Sequence, residues 1–332
     1  MADRTRIRYF DALKLFAMFS VLMVHSIGAL SEYGNEKIFC LIGTYHMPLF
    51  MTISGFFGAH IVSQPFISVL SKKFRTLLLP AICLGIIPML LLGCDPCSTL
   101  KSSFWFLRSA FVCAILFYIA NKYKKFAIPV FIMAVTVWIW AIWWLYPCYI
   151  AGAFIYKYYD RFIKNRGKIV LISLLVYFFM LAIGDSRFYD HEGFIVLPAR
   201  YSDVSLIQYI YIMAYIRCYR IITGLAASIF FISLFGWLAE YFPKTESGDI
   251  ICRYGQYTLG IYILQTFVLE LYIATHFNFS EMNYYIFHFI LAPYVSIAVL
   301  FICIGIIHVI HYSKFMSFIL LGEQPPFTKK TK

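Results

Sequence analysis

Lys14 and His25 stand eleven residues apart in one apolar run that begins near Arg8, where ionisable groups are costly and usually functional. On a helix, eleven steps of about 100° return to within roughly 20° of the start. The two side chains therefore share a face, separated by about 16 Å along the axis. Asp11, three residues before Lys14, falls on that face too. A neutral imidazole can take a proton near pH 7, an ammonium can hold an anion, and a carboxylate at i−3 can orient the ammonium. A snorkelling lysine and a hydrogen-bonded core histidine are the bland alternative. His25 fits it poorly, because it lies about 25 Å along the span from Tyr9, in the far half of a hydrocarbon core about 30 Å thick.

Three further stretches carry polar groups into apolar surroundings. The second apolar run reads Tyr45-His46-Met47-Pro48-Leu49-Phe50-Met51-Thr52-Ile53-Ser54-Gly55-Phe56-Phe57. Pro48 is expected to break the backbone ladder in mid-span, which is tolerated where the chain lines a cavity, and Gly55 permits close helix approach. Lys72, Lys73 and Arg75 place three cations at a helix mouth ahead of Pro80, fit for anionic lipid or a phosphorylated ligand. Trp105 stands in Ser103-Phe104-Trp105-Phe106-Leu107, which an aromatic belt at the membrane surface explains by default.

The elements that must position these residues follow from composition. Of 332 residues, 62% are hydrophobic and 13% charged, and runs of about 20 apolar residues recur along the chain. These features predict an all-α polytopic membrane helical bundle of about ten transmembrane helices, near 9–30, 38–62, 77–93, 104–120, 126–141, 144–159, 169–184, 217–238, 254–275 and 285–312. The pair 126–141 and 144–159 is the tightest, and a re-entrant hairpin is its alternative. The first run is read as a retained span, since no Ala-x-Ala cleavage site follows it.

The formal charge of +12 gathers in short loops between spans: twenty Lys and Arg fall on one side and seven on the other, with Lys14 inside the membrane. That is the positive-inside pattern and not a footprint for nucleic acid, and it puts both termini in the cytosol. Residues 1–312 form one integral membrane domain, and 313–332 a short, basic, disordered cytosolic tail. The loop 185–216, with Arg187, Asp190, His191, Glu192, Arg200 and Asp203, is the outer polar stretch large enough to shape a binding surface. Nine cysteines, mostly in apolar segments, give no disulfide framework; only Cys94 and Cys97, in an outer loop, could pair locally.

Together the stretches resemble one family. The basic residue, ten residues and then His in the first span, His-Met-Pro-Leu-Phe followed by Ser-Gly-Phe, the basic run into Leu-Leu-Pro, the Trp-Phe-Leu opening and Tyr254-Gly-Gln-Tyr-Thr-Leu-Gly-Ile-Tyr262 are similar to the acyltransferase family 3 of integral membrane O-acyltransferases. The likeness spans essentially the whole chain. It departs at Lys14, where many members have Arg, and at Gln265, where a His commonly follows the late motif.

The resemblance implies transfer of an acetyl or other short acyl group from cytosolic acetyl-coenzyme A to a hydroxyl of a surface glycan or lipid-linked sugar on the outer side, at a bacterial inner membrane. It implies no metal and no nucleic-acid partner; the bilayer is the other partner, and a homo-oligomer is compatible. In this scheme Lys14, Lys72, Lys73 and Arg75 hold the donor's charged head. His25 acts as general base or is transiently acetylated, with Lys14, His46 and Ser54 beside it as candidate catalytic groups. His46 would orient the acceptor and Ser54 would stabilise the oxyanion, while Trp105 and Asp11 line the substrate path, Asp11 chiefly by positioning Lys14. The alternative is a proton-coupled transporter, which also needs intramembrane Asp, Lys and His and broken helices. Inverted repeats would mark it; Pro48 and Pro293 fall inside spans, but no sequence symmetry accompanies them.

Overall fold

The computed structural model describes residues 7–32, 37–92, 104–136, 141–184, 205–239 and 246–323. Among these residues every regular element is helical. This is what a chain so poor in charge must do in lipid, because a helix satisfies its own backbone polar groups. In chain order the helices are α1 (Arg8–Leu30), α2 (Lys37–Gly43), α3 (His46–Gly58), α4 (Phe66–Lys73), α5 (Leu79–Leu92), α6 (Trp105–Lys122), α7 (Ala127–Thr136), α8 (Ile142–Lys157), α9 (Tyr159–Lys164), α10 (Arg166–Ile183), α11 (Leu206–Leu238), α12 (Glu246–Tyr254), α13 (Thr258–Gln265), α14 (Ala292–His311) and α15 (Lys314–Leu321).

Among the described residues, seven helical stretches are long and apolar enough to cross a membrane: Arg8–Leu30, Lys37–Ser63, Trp105–Lys122, Arg166–Ile183, Ile210–Leu238, Thr258–His276 and Tyr284–His311. The expected spans near 77–93, 126–141 and 144–159 correspond to α5, α7 and α8, which are 14, 10 and 16 residues long. The fold is an all-α polytopic membrane bundle.

α1 runs through the middle, packed against α2, α3, α11, α12, α13 and α14. Ser26 and Ser296 meet at 3.1 Å, Ser20 and Tyr45 at 3.1 Å, and the Phe279 N–H donates to the Leu30 carbonyl at 2.8 Å. Polar groups of side chain and backbone thus tie the central helix to its neighbours. At the other extreme, α10 packs on α11 and leaves Leu171, Ile172, Leu175, Phe178 and Phe179 between 58% and 62% exposed, a face fit for acyl chains.

The closest crossing is between α3 and α8. A Cβ added at Gly55 would lie 1.9 Å from the Tyr149 carbonyl oxygen, and one at Gly152 would lie 1.8 Å from that of Thr52. Each glycine lets the other helix's backbone lie directly on it.

Several expectations need correction. Pro48 does not break a helix in mid-run; the break precedes it, at Thr44 and Tyr45, and His46 opens α3. As the third residue of that helix, Pro48 lacks an N–H that would have had no intrahelical partner. The freed loop is secured by Thr44, whose hydroxyl donates to the Leu41 carbonyl at 2.7 Å and lies 2.6 Å from the Tyr177 hydroxyl. Residues 205–216, expected in the outer loop, form the start of α11, capped by Ser205. The acidic and basic residues expected to shape that loop's surface, Arg187 to Asp203, lie outside the described residues, as do Cys94 and Cys97. The segment after Ser313, expected to be disordered, forms α15, because Leu320 and Leu321 have α5, α13 and α14 to pack on. It stops at Gly322, whose φ of 66° is a left-handed cap. There the tail is held by a His311–Glu323 pair at 2.8 Å.

Candidate functional site

Beyond the Arg8–Asp249 pair at its first residue, α1 carries two further ion pairs. Near its start, the Lys14 ammonium sits 3.3 Å from the Asp11 carboxylate and 4.6 Å from the centre of the Phe57 ring. The i,i+3 spacing makes the pair possible within one helix, and the ring on α3 adds a cation–π contact. Asp11 is buried, and its own backbone is fixed from outside: a Cβ at Gly255 would lie 1.9 Å from the Asp11 carbonyl oxygen. Any side chain there would push on the residue that orients Lys14. Asp11 is thus placed to hold Lys14.

The second pair was not anticipated. His25 Nδ1 lies 2.7 Å from Glu270 Oε1, and both side chains keep a little over a quarter of their surface exposed, 28% and 29%. A carboxylate can only accept, so a neutral His25 paired with it carries its proton on Nδ1 and presents a lone pair at Nε2. That leaves a fixed, reachable base inside the bundle. One signal in the sequence could have found the partner: Glu270 is the sole carboxylate in the apolar run 254–275.

Glu270 is carried by a π-helical stretch, Thr266–Ile273, that continues α13. Two other π-helical stretches, Phe74–Leu78 and Phe287–Leu291, each end two residues before a proline, Pro80 and Pro293. A proline ring crowds the carbonyl four residues back, so a widened turn ahead of it has a local cause. The next proline after Thr266–Ile273 is Pro293, twenty residues on. Wide turns of that kind concentrate at functional sites, and this one aims its carboxylate at His25.

His46 is buried at the start of α3, with Nδ1 2.7 Å from the Ile42 carbonyl, and it lies within electrostatic range of His25. Its bond to Ile42 fixes the ring and leaves Nε2 as the free nitrogen. Ser54 stands eight residues further along α3 and half-buried, about 12 Å from His46 along the axis. Trp105 opens α6 and packs edge-on against Phe106, whose ring also meets Phe50 and Tyr262. The Tyr262 hydroxyl bonds the Phe106 backbone and feels both Glu270 and Arg108. Arg108, in the first turn of α6, thus shares the Tyr262 hydroxyl with Glu270. Gln265 is fully buried; its amide nitrogen donates to the Thr266 hydroxyl at 3.3 Å and its oxygen has no partner among the described residues. A glutamine there can hydrogen-bond but cannot take up a proton.

The three mouth cations are close in sequence and differ in setting. Lys72 is exposed; Lys73 is half-buried, and burial, then the neighbouring Lys72, pull its ammonium below the ordinary lysine range. Arg75 lies in the π-helical turn with Nε buried and without a partner among the described residues, under the left-handed Gly322 that ends α15. The structure therefore gathers Asp11 with Lys14, His25 with Glu270, and Lys72 with Lys73. Ser54 joins none of these groups by a direct contact among the described residues.

A family described as an acyltransferase domain matches residues 7–311 of the chain. No curated protein and no solved structure matches it.

Proposed function

The chain belongs to that acyltransferase family, and from this premise we infer that it is a membrane O-acetyltransferase, moving an acetyl group from acetyl-coenzyme A to a carbohydrate hydroxyl across the bilayer. The observation that carries the reading is the His25–Glu270 pair at 2.7 Å, a base and its orienting carboxylate on two different spans.

In the proposed step, Nε2 of His25 takes the acceptor's O–H proton while the oxygen attacks the thioester carbonyl. The C–O bond forms, the C–S bond breaks, and the coenzyme A sulfur leaves with the proton that His25 returns. Glu270 holds the tautomer and stabilises the imidazolium that exists in between. His46 orients the acceptor, Ser54 donates to the developing oxyanion, and Trp105 offers the sugar an aromatic face.

The donor's charge keeps its head in water, so it must wait at one surface while its thin arm enters the bundle. Lys14, Arg75, Lys72 and Lys73 hold that head on the cytosolic side, where the excess of Lys and Arg places the N-terminal end of α1. The stretch from Lys14 to His25 is then the distance the arm must cover, about 16 Å.

The test uses purified protein in lipid nanodiscs supplied with acetyl-coenzyme A and surface glycan from the source cells. Release of free coenzyme A thiol together with a glycan mass increase of one acetyl group supports the reading; thiol release with no mass change on the glycan, or neither, overturns it. Sidedness is read separately in cells. Cysteines at Asn121 and Asn165 should be blocked only by membrane-permeant thiol reagents, and one at Ser280 by impermeant reagent; impermeant labelling at Asn121 reverses the assignment.

A further inference from the structure

α15 is tied back to α14 at two points. The buried Ser317 hydroxyl donates to the Ile310 carbonyl at 3.3 Å, and Glu323 Oε1 meets His311 Nε2 at 2.8 Å just past the helix end. A carboxylate only accepts, so His311 carries a proton on Nε2 in this pair. Between these points Gly322 turns the chain in the left-handed region, and the Glu323 N–H donates to the Ser317 carbonyl at 3.3 Å. Leu320 and Leu321 pack against the core, and a Cβ at Gly260 would lie 3.0 Å from Leu321 Cδ2. The short helix is thus a strap fastened along one side and at its far end.

What the strap lies on is the π-helical turn Phe74–Leu78. A Cβ at Gly322 would lie 2.5 Å from the Arg75 carbonyl oxygen and 2.8 Å from the Thr76 Cα. That carbonyl is also short of helical donors. In the wide turn the Leu79 N–H donates to the Phe74 carbonyl, five residues back instead of four, and so passes Arg75 by. The next residue, Pro80, has no N–H to give. The backbone of Arg75 is therefore held less firmly by its own helix than a helical residue ordinarily is. The Gly322 backbone closes over it with room for a hydrogen and nothing larger.

We propose that the end of α15 is the positioning element for Arg75: Gly322, held down by the Glu323–His311 pair, fixes the backbone from which the guanidinium reaches the donor. The inference rests on the donor role given to Arg75 above and names what sets its reach. Gly322 and Glu323 act through Arg75 without touching the donor themselves. Position 322 answers two demands, a left-handed φ of 66° and the lack of a Cβ over the Arg75 carbonyl, and the two can be separated. Asparagine tolerates the left-handed region but carries a Cβ, so Gly322→Asn keeps the turn and presses on Arg75.

Coenzyme A is titrated calorimetrically onto the full chain in phosphatidylcholine nanodiscs, for wild type, Gly322→Asn, Glu323→Ala, Glu323→Gln, Arg75→Ala and the double variant Gly322→Asn with Arg75→Ala. Stoichiometry counts folded sites and Kd reports their quality, so a merely structural role for α15 lowers Tm or stoichiometry and leaves Kd alone. Arg75→Ala should weaken binding about 10-fold, the scale of a lost charge-assisted hydrogen bond. Gly322→Asn should weaken it about fivefold and Glu323→Ala about threefold, while Glu323→Gln, which keeps an acceptor for His311, stays within about twofold of wild type. In the Arg75→Ala background Gly322→Asn should add less than about twofold, because its effect passes through the missing side chain. A wild-type Kd in Gly322→Asn, or the same loss from it in both backgrounds, would overturn the proposal and leave Arg75 its donor role. Should Gly322→Asn not fold, a wild-type Kd in Glu323→Ala overturns it equally. An unchanged Kd in Arg75→Ala would remove the donor role and the proposal together, and no binding of coenzyme A by wild type would remove the donor reading as a whole.

Discussion

The Asp11–Lys14 and His25–Glu270 pairs on α1 differ in every respect that matters to chemistry. Asp11 and Lys14 belong to one helix, sit at 3.3 Å and bring together a buried carboxylate and an ammonium group. His25 and Glu270 come from segments 245 residues apart, sit at 2.7 Å, and include an imidazole, a side chain built to take up and give back a proton. The first pair can only hold; the second can hold and exchange a proton. A helix that carries both separates binding from reaction along its own axis, so changes at one end should register in donor affinity and changes at the other in turnover.

The most severe way to break that division is His25→Ala. Turnover should fall roughly 10²-fold or more, while the donor KM stays within about threefold, since the cations lie about 16 Å away. Near wild-type turnover in the purified variant would strip His25 of its role as base.

Glu270→Gln sharpens the contrast, because it keeps an acceptor for Nδ1–H and removes the charge that stabilises imidazolium. We expect kcat to drop by about 10-fold to 100-fold with donor KM little altered. Equal losses in both parameters would mean that Glu270 shapes the donor path rather than supporting His25.

At the other end, Lys14→Ala should raise the donor KM by about 10-fold and Lys14→Arg should restore most of it, since arginine keeps the charge and the reach to Asp11. A kcat defect without a KM change would merge the two ends of α1 into one catalytic unit.

Gly255→Ala is the mildest of the four. Its Cβ, 1.9 Å from the Asp11 carbonyl oxygen, must displace backbone. A loss of about 1–3 kcal/mol in stability is expected from such overpacking, read as a lower Tm, together with a donor KM raised a few-fold and an unchanged kcat. A variant with wild-type Tm and KM would show that α1 shifts freely at Asp11.

What could be read from the sequence divides along the same line. Asp11, Lys14 and His25 were legible because a helical period alone sets their common face, and the apolar runs marked helices because lipid leaves the backbone no other choice. Glu270 was not. Its partner is chosen by which helices pack together and by a π-helical turn with no proline to announce it. Arg108 was passed over for a related reason: it looks like an ordinary basic residue at a helix end until Tyr262 is folded beside it. Pro48 misled in the other direction, since a proline in an apolar run signals a break but not on which side of it the chain turns.

The crossing of α3 and α8 bears on how such a chain can diverge. Where a side chain blocks a substitution, a second change can trim the neighbour and restore the fit. At Gly55 and Gly152 the obstacle is the opposite helix's carbonyl, which every amino acid possesses, so no partner mutation can rescue either position. These two sites are frozen together, while the acyl-facing surface of α10 is free to drift among apolar residues. A lineage descended from this protein should therefore keep its pair of glycines long after the residues around them have ceased to be recognisable.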